Sequence, residues 1–297
     1  MTVLNNSFIT AVFSLRPPLN TGSCMRLSKA PLVKILVAVI INLWCLFALT
    51  ASVFSETNSP GFYFVQLTDT HCGSARSLAA LKKAVSLINA LPFPIAFVAV
   101  TGDMTSENIH NPEVMTNAMA QFNQLKAPVH YLPGNHDILA RRFEGSLNHY
   151  RSYFGAPYHT METNQVQFIF FYDEPLRNAN LVMPGYEPLE WLREQLTRAD
   201  AKPAIIFMHS ALVQDFYNNR FHASWPDEPG QRFSELINRN KVAAVITGHF
   251  HRDEFHWVGQ VPLYVSAPID DMWKRQPSFR VYEYHEGKVS YFTQYLE

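Results

Sequence analysis

From residue 62 onward, short apolar runs alternate with amphipathic stretches of a different period. Phe62–Leu67, Ile95–Val100, Val129–Leu132, Ala204–Met208 and Ala243–Ile246 read as strands. Ala75–Ala90 places Leu78, Leu81, Val85 and Ile88 at three- and four-residue spacing, which predicts a helix. Pro112–Leu125 predicts a second, with Asn111 as its cap and proline in its first turn. Glu187–Arg198 and Gln231–Arg239 predict two more. The tail turns strand-rich at Glu254–Val258, Val261–Ser266, Ser278–Tyr284 and Lys288–Tyr295, with a tight turn at His285-Glu286-Gly287. This order predicts an α/β fold, a two-sheet sandwich covered by helices, over residues 62–297.

The segment before it has another character. Residues 35–54 (ILVAVIINLWCLFALTASVF) carry no charge and are preceded by Arg16, Arg26, Lys29 and Lys34 with no acid. About 20 apolar residues is the length of one membrane span. The one-sided basic flank puts the N-terminus in the cytoplasm and the rest of the chain outside. A hydrophobic N-terminal helix is therefore expected, acting as signal peptide or transmembrane anchor, and the protein is expected to be extracytoplasmic. Residues 55–61 (SETNSPG) read as a linker. Met25-Arg26-Leu27-Ser28-Lys29 reads as a better start than Met1, so residues 1–24 are expected to be an extension.

Charge then narrows the function. The 297 residues hold 24 Lys plus Arg and 25 Asp plus Glu. Four of the basic residues precede Ser55, so the remainder is net acidic, which is not the footprint of a nucleic-acid binder. Cys24 and Cys45 belong to the N-terminal segment and Cys72 stands alone in the rest, so no disulfide forms there. Asn42-Leu43-Trp44 is too bulky for Cys45 to be a lipoprotein acceptor.

The candidate chemistry lies directly after the strand-like runs. Asp69 and His71, Asp103 after Gly102, Asn135, His136 and Asp137 after Gly134, His209, and then His249 and His251 after Gly248 occupy five such positions. In an α/β sheet, loops at the carboxyl ends of neighbouring strands converge on one crevice. Carboxylate and amide oxygens mixed with imidazoles suit divalent or trivalent first-row metals rather than a thiolate zinc site. Alternation in an extended segment would point Asp69 and His71 the same way, and likewise His249 and His251. Single residues have blander readings: Asp69 as a helix cap, Asp103 as a turn residue, Pro133-Gly134-Asn135 as a turn, His209 as a buried core histidine. Cys72 reads as a small buried hydrophobe, and His110, His130, His149, His159, His256 and His285 fit no ligand pattern.

Together, D-T-H, G-D, G-N-H-D, H and G-H-F-H resemble the motifs of the calcineurin-like metallophosphoesterases, which include purple acid phosphatases and class III cyclic-nucleotide phosphodiesterases. The resemblance runs from Phe62 to the C-terminus. It implies a four-layer α/β/β/α sandwich with two mixed β-sheets and a pair of metal ions (Fe, Mn or Zn). One ion would take Asp69, His71, Asp103 and His251, and the other Asp103, Asn135, His209 and His249. It also implies attack of a bridging hydroxide on a phosphate ester, which the expected extracytoplasmic location narrows to a phosphomonoester or small phosphodiester. His136, one residue past Asn135, is expected to point to the substrate, with Asp137 holding the His136 ring. Ser210 stands where many relatives carry a second histidine. A non-catalytic binding module is the alternative, and a cytosolic location would instead favour cyclic nucleotides. In Val213–Gly230, Tyr217, Phe221, His222 and Trp225 read either as a substrate-facing rim or as an ordinary loop tucking in its aromatics. Nothing in the sequence specifies an oligomeric state.

Overall fold

Strands with apolar residues on both faces fill the middle of the molecule. The computed structural model describes residues 61–198, 202–270 and 274–296. One sheet runs β11 (Lys288–Tyr295), β10 (Ser278–His285), β1 (Phe62–Leu67), β2 (Ile95–Thr101), β3 (Val129–Leu132). The other runs β4 (His159–Glu162), β5 (Gln167–Phe170), β6 (Ala204–Phe207), β7 (Val242–Thr247), β9 (Val261–Val265), β8 (Glu254–Val258). Both are mixed. β1, β2 and β3 are parallel and flanked by antiparallel β10. β5, β6, β7 and β9 are parallel, with β4 and β8 antiparallel at the edges.

The period-two geometry of a strand sorts its residues into different cores. Phe64 of β1, Phe97 and Ala99 of β2, Phe168 and Phe170 of β5, and Phe207 of β6 face inward and fill the space between the sheets. Their rings pack face to face and edge to face, as in Phe64–Phe97 at 5.1 Å and Phe64–Phe207 at 5.8 Å. Val65, Leu67, Val98 and Val100 face the other way. They are covered by α1 (Ala75–Asn89), α2 (Pro112–Phe122) and α3 (Phe143–Phe154), which contribute Leu81, Met115 and Tyr150. On the second sheet, Ile169, Ile206 and Val245 meet Leu192 of α5 (Pro188–Arg198) and Phe233 of α6 (Asp227–Asn238). The result is the expected four layers, α/β/β/α.

Several boundaries differ from the sequence reading for local reasons. Asn111 caps α2 by accepting from the Glu113 and Val114 amides, but the helix ends at Phe122 because Asn123 is its C-cap. α6 begins at Asp227 and not at Gln231. Asp227 and Glu228 favour the positive helix N-terminus, and Pro229 is tolerated in the first turn. α3, β4, β5 and the short α4 (Glu174–Arg177) were not anticipated. The expected N-terminal helix and the linker up to residue 60 lie outside the described residues. No helix among the described residues is long and apolar enough to cross a membrane.

One buried polar residue ties the two sheets together beside the functional end. Gln66 of β1 donates to Thr101 Oγ1 (2.8 Å) and to the Thr247 carbonyl (2.9 Å), and accepts from Tyr282 (3.1 Å) and Ser266. Gln66→Leu keeps the volume but leaves several of these buried groups unpaired. The expected loss is about 1–3 kcal/mol of unfolding free energy, read from urea denaturation. An unchanged urea midpoint would mean that the sheets do not depend on this tie.

Candidate metal centre

Five strands deliver their following residues to one pocket, and sharp backbone turns aim them. Asp69, His71, Asp103, His249 and His251 all have left-handed backbones, with φ between 42° and 68°. The expected alternation of an extended segment is therefore not how Asp69 and His71, or His249 and His251, converge. A left-handed kink at each residue does it, at a cost on the order of 1–2 kcal/mol apiece. Two glycines make room. A Cβ on Gly134 would collide with the Asp103 carboxylate, and one on Gly248 with the Thr68 and Asp69 side chains.

Seven predicted residues meet in this pocket. Asp69, His71, Asp103 and His251 offer ligand atoms within 4.8 Å of one another, and so do Asp103, His209 and His249. Asp103 belongs to both groups. Its Oδ2 lies 3.9 Å from His71 Nε2 and 3.2 Å from His209 Nε2. Asp69 Oδ1 lies 3.1 Å from His251 Nε2, which is itself 3.3 Å from His71 Nε2. Asn135 Oδ1 joins at 3.1 Å from His209 Nε2.

The atoms inside the cluster are acceptors aimed at one another. His209 Nδ1 faces the Thr101 carbonyl at 2.9 Å, so Nδ1 carries a proton and Nε2 is the atom the ring offers inward. That Nε2 meets the Asp103 and Asn135 oxygens. His249 Nε2 is buried without a hydrogen-bond partner. Among the described residues no Lys or Arg forms an ion pair with Asp69 or Asp103, and both carboxylates are buried. Burial raises the Asp103 carboxyl, but His209, His71 and His136 together hold it well below the usual range. Burial lowers His209, and the Asp103 charge drives it well above its ordinary value. His249 goes the other way, pushed down by burial and by His209. Protons here do what a cation would do. This donor set fits divalent metal ions.

His136 and Asp137 take different places. The His136 amide donates to Asp103 Oδ1 (2.8 Å), while its ring is 39 % exposed at the mouth of the pocket. Asp137 does not hold that ring. It is fully buried and accepts from the amides of Gly134 (2.9 Å), Thr105 (3.3 Å) and Met104 (3.4 Å). It thus braces the G-N-H-D turn against the Asp103 loop, and burial, with Asp103 next, pushes its carboxyl up to about 8. The acid beside His136 is Glu107, whose Oε1 lies 3.6 Å from Nδ1 and which is paired with Arg141. Its position depends on a left-handed turn (φ 58°) that no motif announces.

Asp173 is the other residue missed. It clamps the amides of His209 (2.9 Å) and Ser210 (3.0 Å), and the Ser210 hydroxyl that also donates to it accepts from Trp225 Nε1 (3.0 Å). A signal was available: Asp173 follows an apolar run, Val166–Tyr172, just as the other site residues do. Trp225 is consequently core and not rim, whereas Tyr217 and Phe221 are exposed and His222 sits against His249 and His251.

Comparison with known proteins agrees with this geometry. The model of the calcineurin-like phosphoesterase family matches residues 62–253. A mouse (Mus musculus) protein, the serine/threonine-protein phosphatase CPPED1, is 23 % identical over 235 residues, covering 70 % of this chain and 75 % of its own. Two solved structures share the fold at low identity. A dimetal phosphatase from Danio rerio has a TM-score of 0.57 at 14 % identity, covering 80 % of this chain and 99 % of that one. The purple acid phosphatase PPD1 of yellow lupin (Lupinus luteus) has a TM-score of 0.58 at 15 % identity, covering 78 % of this chain and 51 % of that one. The chain belongs to the calcineurin-like phosphoesterase family and is a metal-dependent phosphoric ester hydrolase.

Proposed function

We propose that the protein hydrolyses a phosphomonoester or small phosphodiester at a centre of two divalent ions that share Asp103. The observation carrying this is the place of Asp103 Oδ2, between His71 Nε2 and His209 Nε2 and common to both ligand groups. Asp69, His71 and His251 would complete one ion's ligands, and Asn135, His209 and His249 the other's. When bound, such a pair supplies Lewis acidity and an activated water. The relative and neighbours described above are phosphatases by name, which favours a monoester over a diester.

The chain's own contributions are orientation and a proton. Thr68 and the His249 amide both donate to Asp69 Oδ2, at 2.6 and 3.0 Å, which fixes the carboxylate so that its other oxygen faces the histidines. Ser106 holds His71 Nδ1 at 3.1 Å. His136, exposed at the mouth, presents an N–H to phosphoryl oxygens or to the departing alcohol. Glu107, whose Oε1 lies 3.6 Å from Nδ1, places a carboxylate beside this ring.

The apolar segment 35–54 and its basic flank further support placement of the domain outside the cytoplasmic membrane, tethered or released.

Asp103→Ala is expected to drop metal content from about two ions per chain to less than half of that and to abolish turnover of an aryl phosphate. Metal-stripped wild-type protein that kept full activity would contradict the proposal. His136→Ala is expected to retain its metal while kcat falls roughly 10²–10⁴-fold. Glu107→Gln should lower kcat by roughly 10–100-fold, as outer partners of site histidines do. Metal loss in His136→Ala equal to that in His209→Ala would reassign His136 as a ligand. Alkaline phosphatase fused after Glu297 should be active in intact cells and a cytoplasmic fluorophore fused there dark, and the opposite result would place the domain in the cytoplasm.

A further inference from the structure

The loop between the His209 turn and α6 builds a second pocket against the metal centre. Its cavity is about 240 Å³, lined by Tyr217, Phe221, His222, Phe250, Arg252 and Arg275. His222 forms the wall shared with the centre. Its ring centre lies 5.2 Å from that of His249 and 5.6 Å from that of His251, with the latter ring stacked. Phe250 sits in the chain between those two histidines.

The lining has one chemical theme, π faces beside guanidinium planes. Tyr217 is 40 % and Phe221 54 % exposed, and their rings meet edge to face at 5.4 Å. The Arg252 guanidinium lies 4.6 Å over the Tyr217 ring and 5.8 Å over Phe250. Arg252 is neutralised by Asp215 and Glu254. Arg275 reaches the Tyr217 hydroxyl at 3.4 Å and, among the described residues, forms no ion pair with a carboxylate. Guanidinium planes and aromatic faces both stack on a flat π system better than on a saturated ring.

The loop is braced by its own polar contacts. Asp215 accepts from the Asn219 amide (2.6 Å) while the Asn219 side chain accepts from the Asp215 amide (2.9 Å). Asn218 and Asn219 take the left-handed turn (φ 55° and 56°) that asparagine tolerates. Asp215 Oδ2 reaches Arg252 at 2.9 Å and His222 Nδ1 at 3.5 Å, and the Phe216 amide donates to Glu254 (3.1 Å). Aromatic residues left exposed on a braced loop beside a reaction centre form a ready binding surface.

We infer that this pocket binds a planar aromatic group in the organic part of the phosphoester, and so sets a preference for aromatic over aliphatic esters. The inference rests on the reading of the centre as a phosphoesterase site. The cavity is smaller than the ~300–1,000 Å³ of drug-sized sites, so it takes one ring system and not a chain of them.

The test compares benzylphosphonate with cyclohexylmethylphosphonate, non-hydrolysable probes of equal carbon count, by calorimetry on the full-length, metal-loaded protein. Benzylphosphonate should bind roughly 3–10-fold tighter, the range that aromatic pairing adds beyond area burial. The Tyr217→Leu/Phe221→Leu double variant should bind the two equally, with metal content and the urea midpoint of the wild type as the control for folding. Equal affinities in the wild type, or a preference that survives the double variant, overturn the pocket assignment. Hydrolysis of benzyl phosphate and cyclohexylmethyl phosphate separates the two readings. Turnover of both esters with equal kcat/KM overturns the aromatic pocket while the centre stands. A phosphonate preference with no hydrolysis of either ester upholds the pocket and removes the phosphomonoester reading of the centre.

Discussion

Two buried carboxylates that pair with no Lys or Arg among the described residues are the constraint around which the rest is arranged. Asp69 and Asp103 are buried, and the groups beside them that can carry positive charge are the imidazoles of His71, His209 and His251. Burying such charge without compensation costs several kcal/mol per ion in a protein interior. The cluster therefore needs positive charge, supplied either by protonated histidines or by metal ions. Only ions also satisfy His249 Nε2, which is buried without a hydrogen-bond partner and whose ring burial keeps neutral, and so this donor set reads as a metal centre and not as a structural ion-pair network.

The fold exists to hold that arrangement still. Two sheets, each buried on both faces, give five strand ends that point to one place. Gln66, three residues before Asp69, locks the sheets together where they meet. Beyond the strand ends, left-handed turns at five of the ligating positions store strain that the packed sheets support. Asp137 and Asp173 then fix the turns from behind through backbone amides, Asp137 on the Gly134 turn and Asp173 on the His209 turn. Neither touches the pocket's interior. Ser210, in place of a second histidine, spends its hydroxyl on Asp173 and Trp225 and so links the His209 turn to the aromatic loop.

Much of this was legible in the sequence because the strands announce themselves. A strand covered on both faces must be apolar throughout, so β1, β2, β3, β6 and β7 stood out, and the polar residues just beyond them marked the site. β5 was missed although its apolar run is equally clear, and with it Asp173. β4 is short and partly exposed (His159–Glu162), so it carries no such pattern. The amphipathic α3 was passed over for want of a cap signal; Arg142 precedes it without a side-chain cap. Glu107 and the true role of Asp137 were invisible for a different reason. Both depend on contacts across about thirty residues of chain, fixed by turns and not by periodicity. The convergence of Asp69 with His71 was foreseen, but its cause was not. Strand alternation was expected where the backbone instead kinks at each ligand. The aromatic loop divided, with Trp225 drawn into the core by its bond to Ser210 while Tyr217 and Phe221 stayed at the surface.

The account stands or falls on whether two ions share Asp103. Electron paramagnetic resonance of the protein reconstituted with manganese(II) reads this directly. Ions held ~3.5–4 Å apart, as in two-metal hydrolases, are magnetically coupled, so the spectrum should show a coupled multiline pattern that collapses in Asp103→Ala. A simple six-line spectrum from isolated manganese at full loading of the wild-type protein would contradict it.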